Sequence, residues 1–118
     1  MYSIRVESWF SSAHNLRGYK GKCEALHGHN WKVEVVTAQD SLDKIGMVAD
    51  FKYVKAALHT VLDKLDHAYL NNIPYFKKVN PTSENIARYI YEAIARKVRG
   101  VKSVTVWENT TSSATYEE

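Results

Sequence analysis

Apolar and polar positions alternate from the start of the chain. Tyr2, Ile4 and Val6 stand against Ser3, Arg5 and Glu7, the two-residue period of a half-buried strand. The alternation slips at Ser8-Trp9-Phe10, which predicts a bulge before the strand runs on towards His14. Residues 15–26 hold Gly18, Gly21 and several charges and predict a loop. Beyond it His27, His29, Trp31, Val33 and Val35 fall at every second position, so a second strand presents them on one face.

The period then changes. Asp40 to Gly46 is turn-like, and Phe51, Val54, Leu58, Val61, Leu62 and Leu65 follow at helical spacing, with Asp50 placed to cap the start. Asn71-Asn72-Ile73-Pro74 breaks the chain. Asn80-Pro81-Thr82-Ser83-Glu84 predicts a second helix start, with Pro81 near the first position and Glu84 complementing the dipole. Ile86, Ile90, Ala93, Ile94 and Val98 line its buried side, and Arg99-Gly100 ends it. Val104 and Val106 alternate with Ser103 and Thr105 in a third strand whose inward face continues to Glu108; Asn109–Ser113 is a turn and Ala114–Glu118 adds a short last strand. The order ββααββ predicts an α+β protein, one domain over residues 1–118, with a four-stranded antiparallel sheet carrying two helices on one face. Such a sheet has bare edges, and pairing with another subunit is one common remedy.

Composition narrows the class without naming a function. The 118 residues are 45% hydrophobic and 25% charged, the profile of a globular domain with one core. No apolar run reaches the length of a membrane span, and Met1–Arg5 lacks the apolar centre of a signal peptide. A single cysteine cannot form an internal disulfide, so the expected compartment is the cytoplasm. The net charge of +3 is spread along the chain, which argues against a nucleic-acid surface and is compatible with an anionic small molecule.

His27 and His29, two apart on a strand, project from one face and can reach one ion, while Gly28 puts no side chain on the other face. His14 ends the preceding strand, where an antiparallel neighbour brings it close. Three neutral imidazoles with a fourth position open is the arrangement of catalytic zinc. The competing reading is a hairpin edge with solvated rings. Cys23, four residues before His27 and beside Lys22 and Glu24, is a candidate thiolate; it could instead be a fourth ligand closing a structural site. Asp66-His67 offers a carboxylate that can orient an imidazole for acid–base work, provided a turn brings the two together. The alternative is a helix-terminal histidine compensating the dipole. His59, off the apolar stripe of its helix, is expected to be exposed. Glu108, on an apolar face, needs a partner, and a planar donor array would satisfy it. Otherwise the strand ends there and Glu108 reaches water.

Taken together, Phe10-Ser11-Ser12-Ala13-His14, Cys23-Glu24-Ala25-Leu26-His27-Gly28-His29, Leu65-Asp66-His67, Pro81-Thr82-Ser83-Glu84-Asn85 and Trp107-Glu108 resemble the 6-pyruvoyl-tetrahydropterin synthase family. The three-residue gap between the cysteine and His-Gly-His is similar to the bacterial branch that forms 6-carboxy-5,6,7,8-tetrahydropterin for queuosine. The resemblance implies a tunnelling fold whose subunits join sheets into a barrel, typically a homohexamer of two trimers with active sites between subunits. It implies zinc on His14, His27 and His29, Cys23 as catalytic thiol with Asp66 and His67 as its acid–base partners, and Glu108 anchoring a pterin. Thr82 and Ser83 would line the pterin pocket, although the same residues could simply cap the helix. Arg17, Lys20 and Lys22 are triphosphate contacts by charge. A glutamate takes the thiol's role in some relatives, which brings in Glu24. The implied reaction is conversion of 7,8-dihydroneopterin triphosphate with loss of triphosphate and acetaldehyde. Pyruvoyl formation, an aldolase-type cleavage and a non-enzymatic pterin-binding module with structural zinc are the competing outcomes.

Overall fold

The structure, a computed structural model, describes residues 1–22 and 24–118. A long antiparallel hairpin organises it: β1 (Tyr2–His14) pairs with β2 (His27–Gln39) from Tyr2↔Gln39 to His14↔His27. β2 continues the sheet to β4 (Val101–Trp107), and β4 pairs with β5 (Ser113–Glu117). On the far side, β3 (Ala68–Tyr69) lies parallel to Ser12 and Ala13 of β1. Among the described residues the sheet therefore has five strands in the order β3-β1-β2-β4-β5, not four, and is not purely antiparallel. Two residues are too few for any periodicity, which is why β3 escapes a pattern reading.

The expected bulge at Ser8-Trp9-Phe10 is absent. Register with β2 runs unbroken there. Ser8 takes the inward place between Val6 and Phe10 and its hydroxyl meets His59 Nε2 at 3.1 Å, while Trp9, 61% exposed, lies on the opposite face. A serine inside and an indole outside disguised an intact two-residue period. The irregularity falls instead between Val36 and Thr37, in the pairing with β4.

Three α-helices are present among the described residues: α1 (Phe51–Leu62), α2 (Pro74–Lys78) and α3 (Ser83–Ala95). Asp50 caps α1 as expected, accepting from Lys52 N–H at 2.9 Å. Phe51 at the end of the stripe is 53% exposed, not core. The segment read as a break forms a 3₁₀ turn (Leu70–Asn72), and Pro74 opens α2, where its missing N–H costs nothing. Thr82 rather than Pro81 starts α3, its hydroxyl accepting from Asn85 N–H at 3.1 Å. That helix stops at Ala95, short of Arg99-Gly100, which forms the turn into β4. No helix is long and apolar enough to cross a membrane.

α1 packs on β1, and α3 packs on β4 and β5. Their stripes (Val54, Leu58 and Val61; Ile86, Ile90 and Ile94) meet Trp31, Val33 and Val35 of β2 and Val104 and Val106 of β4 in one core almost free of solvent. Truncating one of these Leu or Ile side chains to Ala costs about 2–5 kcal/mol. Because His14, His27 and His29 continue the inward alternation, the same packing aims them.

Gly100 adopts φ 81° where its carbonyl accepts from Ala38 N–H at 2.9 Å. A Cβ there would lie 2.7 Å from the Ala38 carbonyl oxygen, whereas at Gly46 (φ 87°) it would meet nothing within 4 Å. Both Gly→Ala changes pay about 1–2 kcal/mol for the left-handed conformation. Gly100→Ala is expected to lose clearly more in urea unfolding; equal losses would contradict the close approach.

Candidate metal centre and its surroundings

His14 and His27 face each other as the last pair of the hairpin, and His29 follows one inward place along β2. Their rings stand edge to face, with centroids 4.7–5.2 Å apart. Buried Trp31 packs edge-on against His14 and His29 at 4.9 and 5.0 Å, and its indole N–H donates to the Ser12 carbonyl at 3.3 Å. The core thus holds the rings in place from below.

Backbone carbonyls decide which nitrogens are available. His14 Nδ1 is 2.8 Å from the Pro81 carbonyl oxygen, and His27 Nδ1 is 2.9 Å from that of Ala25. A carbonyl oxygen can only accept, so both Nδ1 atoms carry the hydrogen. In a neutral ring this leaves Nε2 with a lone pair. The two Nε2 atoms are 3.1 Å apart. Two lone pairs at that separation repel unless a cation lies between them. Nitrogens bound to tetrahedral zinc at about 2.0–2.1 Å stand about 3.3 Å apart. His29 Nε2 is buried and has no hydrogen-bond partner among the described residues. Burial lowers the His29 pKa from its ordinary value, against the pull of Glu108 the other way. That favours the neutral, metal-binding form. An orphaned nitrogen and a repelling pair, with backbone-fixed tautomers behind them, fit a divalent ion.

Glu108 also belongs to this cluster. Its Oε1 is 3.0 Å from His29 Nε2 and 3.5 Å from His14 Nε2, and the four ligand atoms lie within 4.8 Å of one another. The inward reading of Glu108 therefore holds, with the imidazoles as its neighbours.

Asp66 and His67 form a pair, Oδ2 to Nδ1 at 3.0 Å. The turn they need is supplied by His67 itself, at φ 53°, held by its N–H donating to the Ser11 carbonyl at 2.6 Å. Ser11 N–H donates back to Asp66 Oδ1 at 2.8 Å. This bond, reinforced by His67 and opposed by partial desolvation, holds the Asp66 carboxyl below its ordinary pKa. The His67 side chain, 83% exposed, borders a cleft that Ser11, Ser12, Ala13, Gly28, His29 and Asn30 also line. The chain assembles both groups, and His29 and His67 line one cleft. Cys23 lies outside the described residues. Glu24 is engaged structurally: its carboxylate accepts from Leu16 N–H at 3.2 Å, and its own N–H donates to the Leu16 carbonyl at 2.9 Å. Arg17 spends its guanidinium on the carbonyls of Phe76 and Val79.

Sequence reasoning passed over three supports. The carboxamides of Asn71 and Asn80 each accept from and donate to one backbone position, Asn15 and Arg17 respectively, at 2.7–3.0 Å, fastening the loop after β1. The Pro81 carbonyl orients His14. Clustered asparagines beside a proline are the only sequence signal for them.

The depressed Asp66 pKa has a definite sign. Its stabilisation is complete above the unfolded carboxyl value and is lost as pH falls through the lower native one. Asp66→Asn should therefore be less stable near neutrality and lose part of the steep acid dependence below about pH 4. An unchanged stability–pH profile would contradict the Ser11–Asp66 bond.

With this geometry in place, relatives carry weight. The chain matches the family model described as 6-pyruvoyl tetrahydropterin synthase over residues 3–118. It is 40% identical to the 6-carboxy-5,6,7,8-tetrahydropterin synthase of Synechocystis, covering 98% of this chain and 93% of that protein. It is 34% identical to the dihydroneopterin monophosphate aldolase of Pyrococcus furiosus, over 91% and 79%. The fold is similar to that of Caenorhabditis elegans 6-pyruvoyl tetrahydropterin synthase, with a TM-score of 0.87 at 26% identity, over 99% and 95% of the chains. The chain belongs to the 6-pyruvoyl tetrahydropterin synthase family.

Proposed function

We propose that the protein is a zinc-dependent lyase that converts 7,8-dihydroneopterin triphosphate and water to 6-carboxy-5,6,7,8-tetrahydropterin, acetaldehyde and triphosphate. The convergence of three imidazole Nε2 atoms carries this reading, and the names of the similar proteins direct it to pterin side chains. The equation needs no external oxidant, because the ring is reduced as the side chain is oxidised and split.

In this reading His14, His27 and His29 hold the ion, which when bound acts as a Lewis acid towards the side-chain hydroxyls. Cys23 and the Asp66–His67 pair move protons. Asp66, fixed by Ser11, keeps Nδ1 of His67 protonated and its exposed Nε2 free to exchange a proton. Glu108 anchors the pterin, and Thr82 and Ser83 border its pocket, Thr82 serving also as a cap. With Arg17 committed elsewhere, exposed Lys20 and Lys22 are the cations left in that loop for triphosphate. Residues 2–10 of β1 lack a strand neighbour on their outer edge among the described residues. That open edge favours a site completed between subunits of a homo-oligomer, the hexamer of two trimers implied by the resemblance. The cytoplasm is the proposed compartment.

A second reading, aldolase-type cleavage on the same centre, is favoured by the Pyrococcus relative. Product analysis separates the two: acetaldehyde with a 6-carboxy pterin is expected, and absence of both would remove the first choice. Cys23→Ala should retain metal while turnover falls by roughly 10²–10⁴-fold; unchanged turnover would exclude the thiol. Zinc at 100 times its Kd should stabilise the fold by about 2.7 kcal/mol, and His14→Ala should abolish the effect. Stabilisation that survives His14→Ala would place the metal elsewhere.

A further inference from the structure

Glu108 lies among the imidazoles. Its Oε1 is 3.0 Å from His29 Nε2 and 3.5 Å from His14 Nε2, alongside the 3.1 Å His14–His27 contact. These spacings bracket the edge of about 3.3 Å in a tetrahedral zinc site. The contact to His29 is short but lacks hydrogen-bond geometry: that nitrogen is without a partner among the described residues although an oxygen lies 3.0 Å away. An imidazole and a carboxylate that only paired with each other would align. Donors aimed at a common third centre do not.

The freedom of this carboxylate also sets it apart. Asp66 is held by Ser11 N–H, Glu34 by the Trp107 indole N–H, and Glu24 by Leu16 N–H. Among the described residues Glu108 is hydrogen-bonded only through its backbone, N–H to the Ser112 carbonyl at 3.1 Å. Its side chain, 33% exposed, makes no hydrogen bond among the described residues.

We propose that Glu108 has two stations: in the resting protein its carboxylate is the fourth ligand, closing a three-histidine, one-glutamate set, and on pterin binding it leaves that place for the ring. The inference rests on the metal site proposed above and adds to it a carboxylate that exchanges. One side chain then protects the ion before turnover and recognises the ligand that opens the site.

The test uses full-length protein loaded with Co²⁺, its visible absorption reporting the ligand set, with 7,8-dihydroneopterin as the pterin probe. Glu108→Gln and Glu108→Ala should bind the metal about 10-fold or more weakly in chelator competition and shift the resting spectrum. Circular dichroism checks that both variants fold. Adding the pterin should move the wild-type spectrum and leave the Glu108→Ala spectrum closer to its starting point. Wild-type affinity and spectrum in both variants would overturn the proposal. So would a resting spectrum that changes with Cys23→Ala instead, or one in the wild type that ignores the pterin. Failure of the wild type to bind Co²⁺ at all is a different result, and would sink the metal site itself.

Discussion

Two backbone carbonyls govern the chemistry of this molecule. By accepting from Nδ1 of His14 and His27, the carbonyls of Pro81 and Ala25 turn both Nε2 lone pairs towards one point. Without a cation that arrangement is electrostatically unfavourable, and the fold bears it because the rings are pinned from behind. Trp31 wedges His14 and His29, and the unbroken hairpin register sets His14 opposite His27. In the proposed metal centre, specificity would reside in the groups that orient the imidazoles as much as in the imidazoles themselves.

The scaffold explains where that orientation comes from. Inward positions of β1 and β2 form the hydrophobic core for most of their length, and the inward positions at the end of β1 and the start of β2 carry imidazole. The imidazole rows are therefore continuous with the packed rows, and a shift of register would misplace both at once. Asn71 and Asn80 secure the turn beyond His14 by imitating backbone pairing with their carboxamides. Pro81 lies one residue from that clamp, so α3, the loop and His14 are positioned by one set of bonds.

Much of this was legible in the sequence because period and chemistry coincide. His27, Gly28 and His29 on a strand, Asp50 before a helical stripe and Val104, Val106 and Glu108 on one face each needed only local spacing, and each holds. What escaped depended on distant partners. Ser8 reads as an interruption until His59 arrives from α1 to meet it. β3 has only two residues and exists because β1 offers it an edge. The left-handed backbone of His67 is stabilised by Ser11, far away in the chain, so adjacent residues that would diverge on a strand converge instead. That Glu108 would meet imidazoles follows from the sheet order, which spacing along the chain does not contain.

The central claim is that one divalent ion sits where three Nε2 atoms converge, and X-ray absorption at the zinc edge of the purified protein tests it most directly. One ion per chain is expected, with a first shell of nitrogen and oxygen at about 2.0–2.2 Å that carries the outer-shell pattern of three imidazoles. A shell fitted by fewer than three imidazoles, or protein that takes up no zinc, would contradict the account.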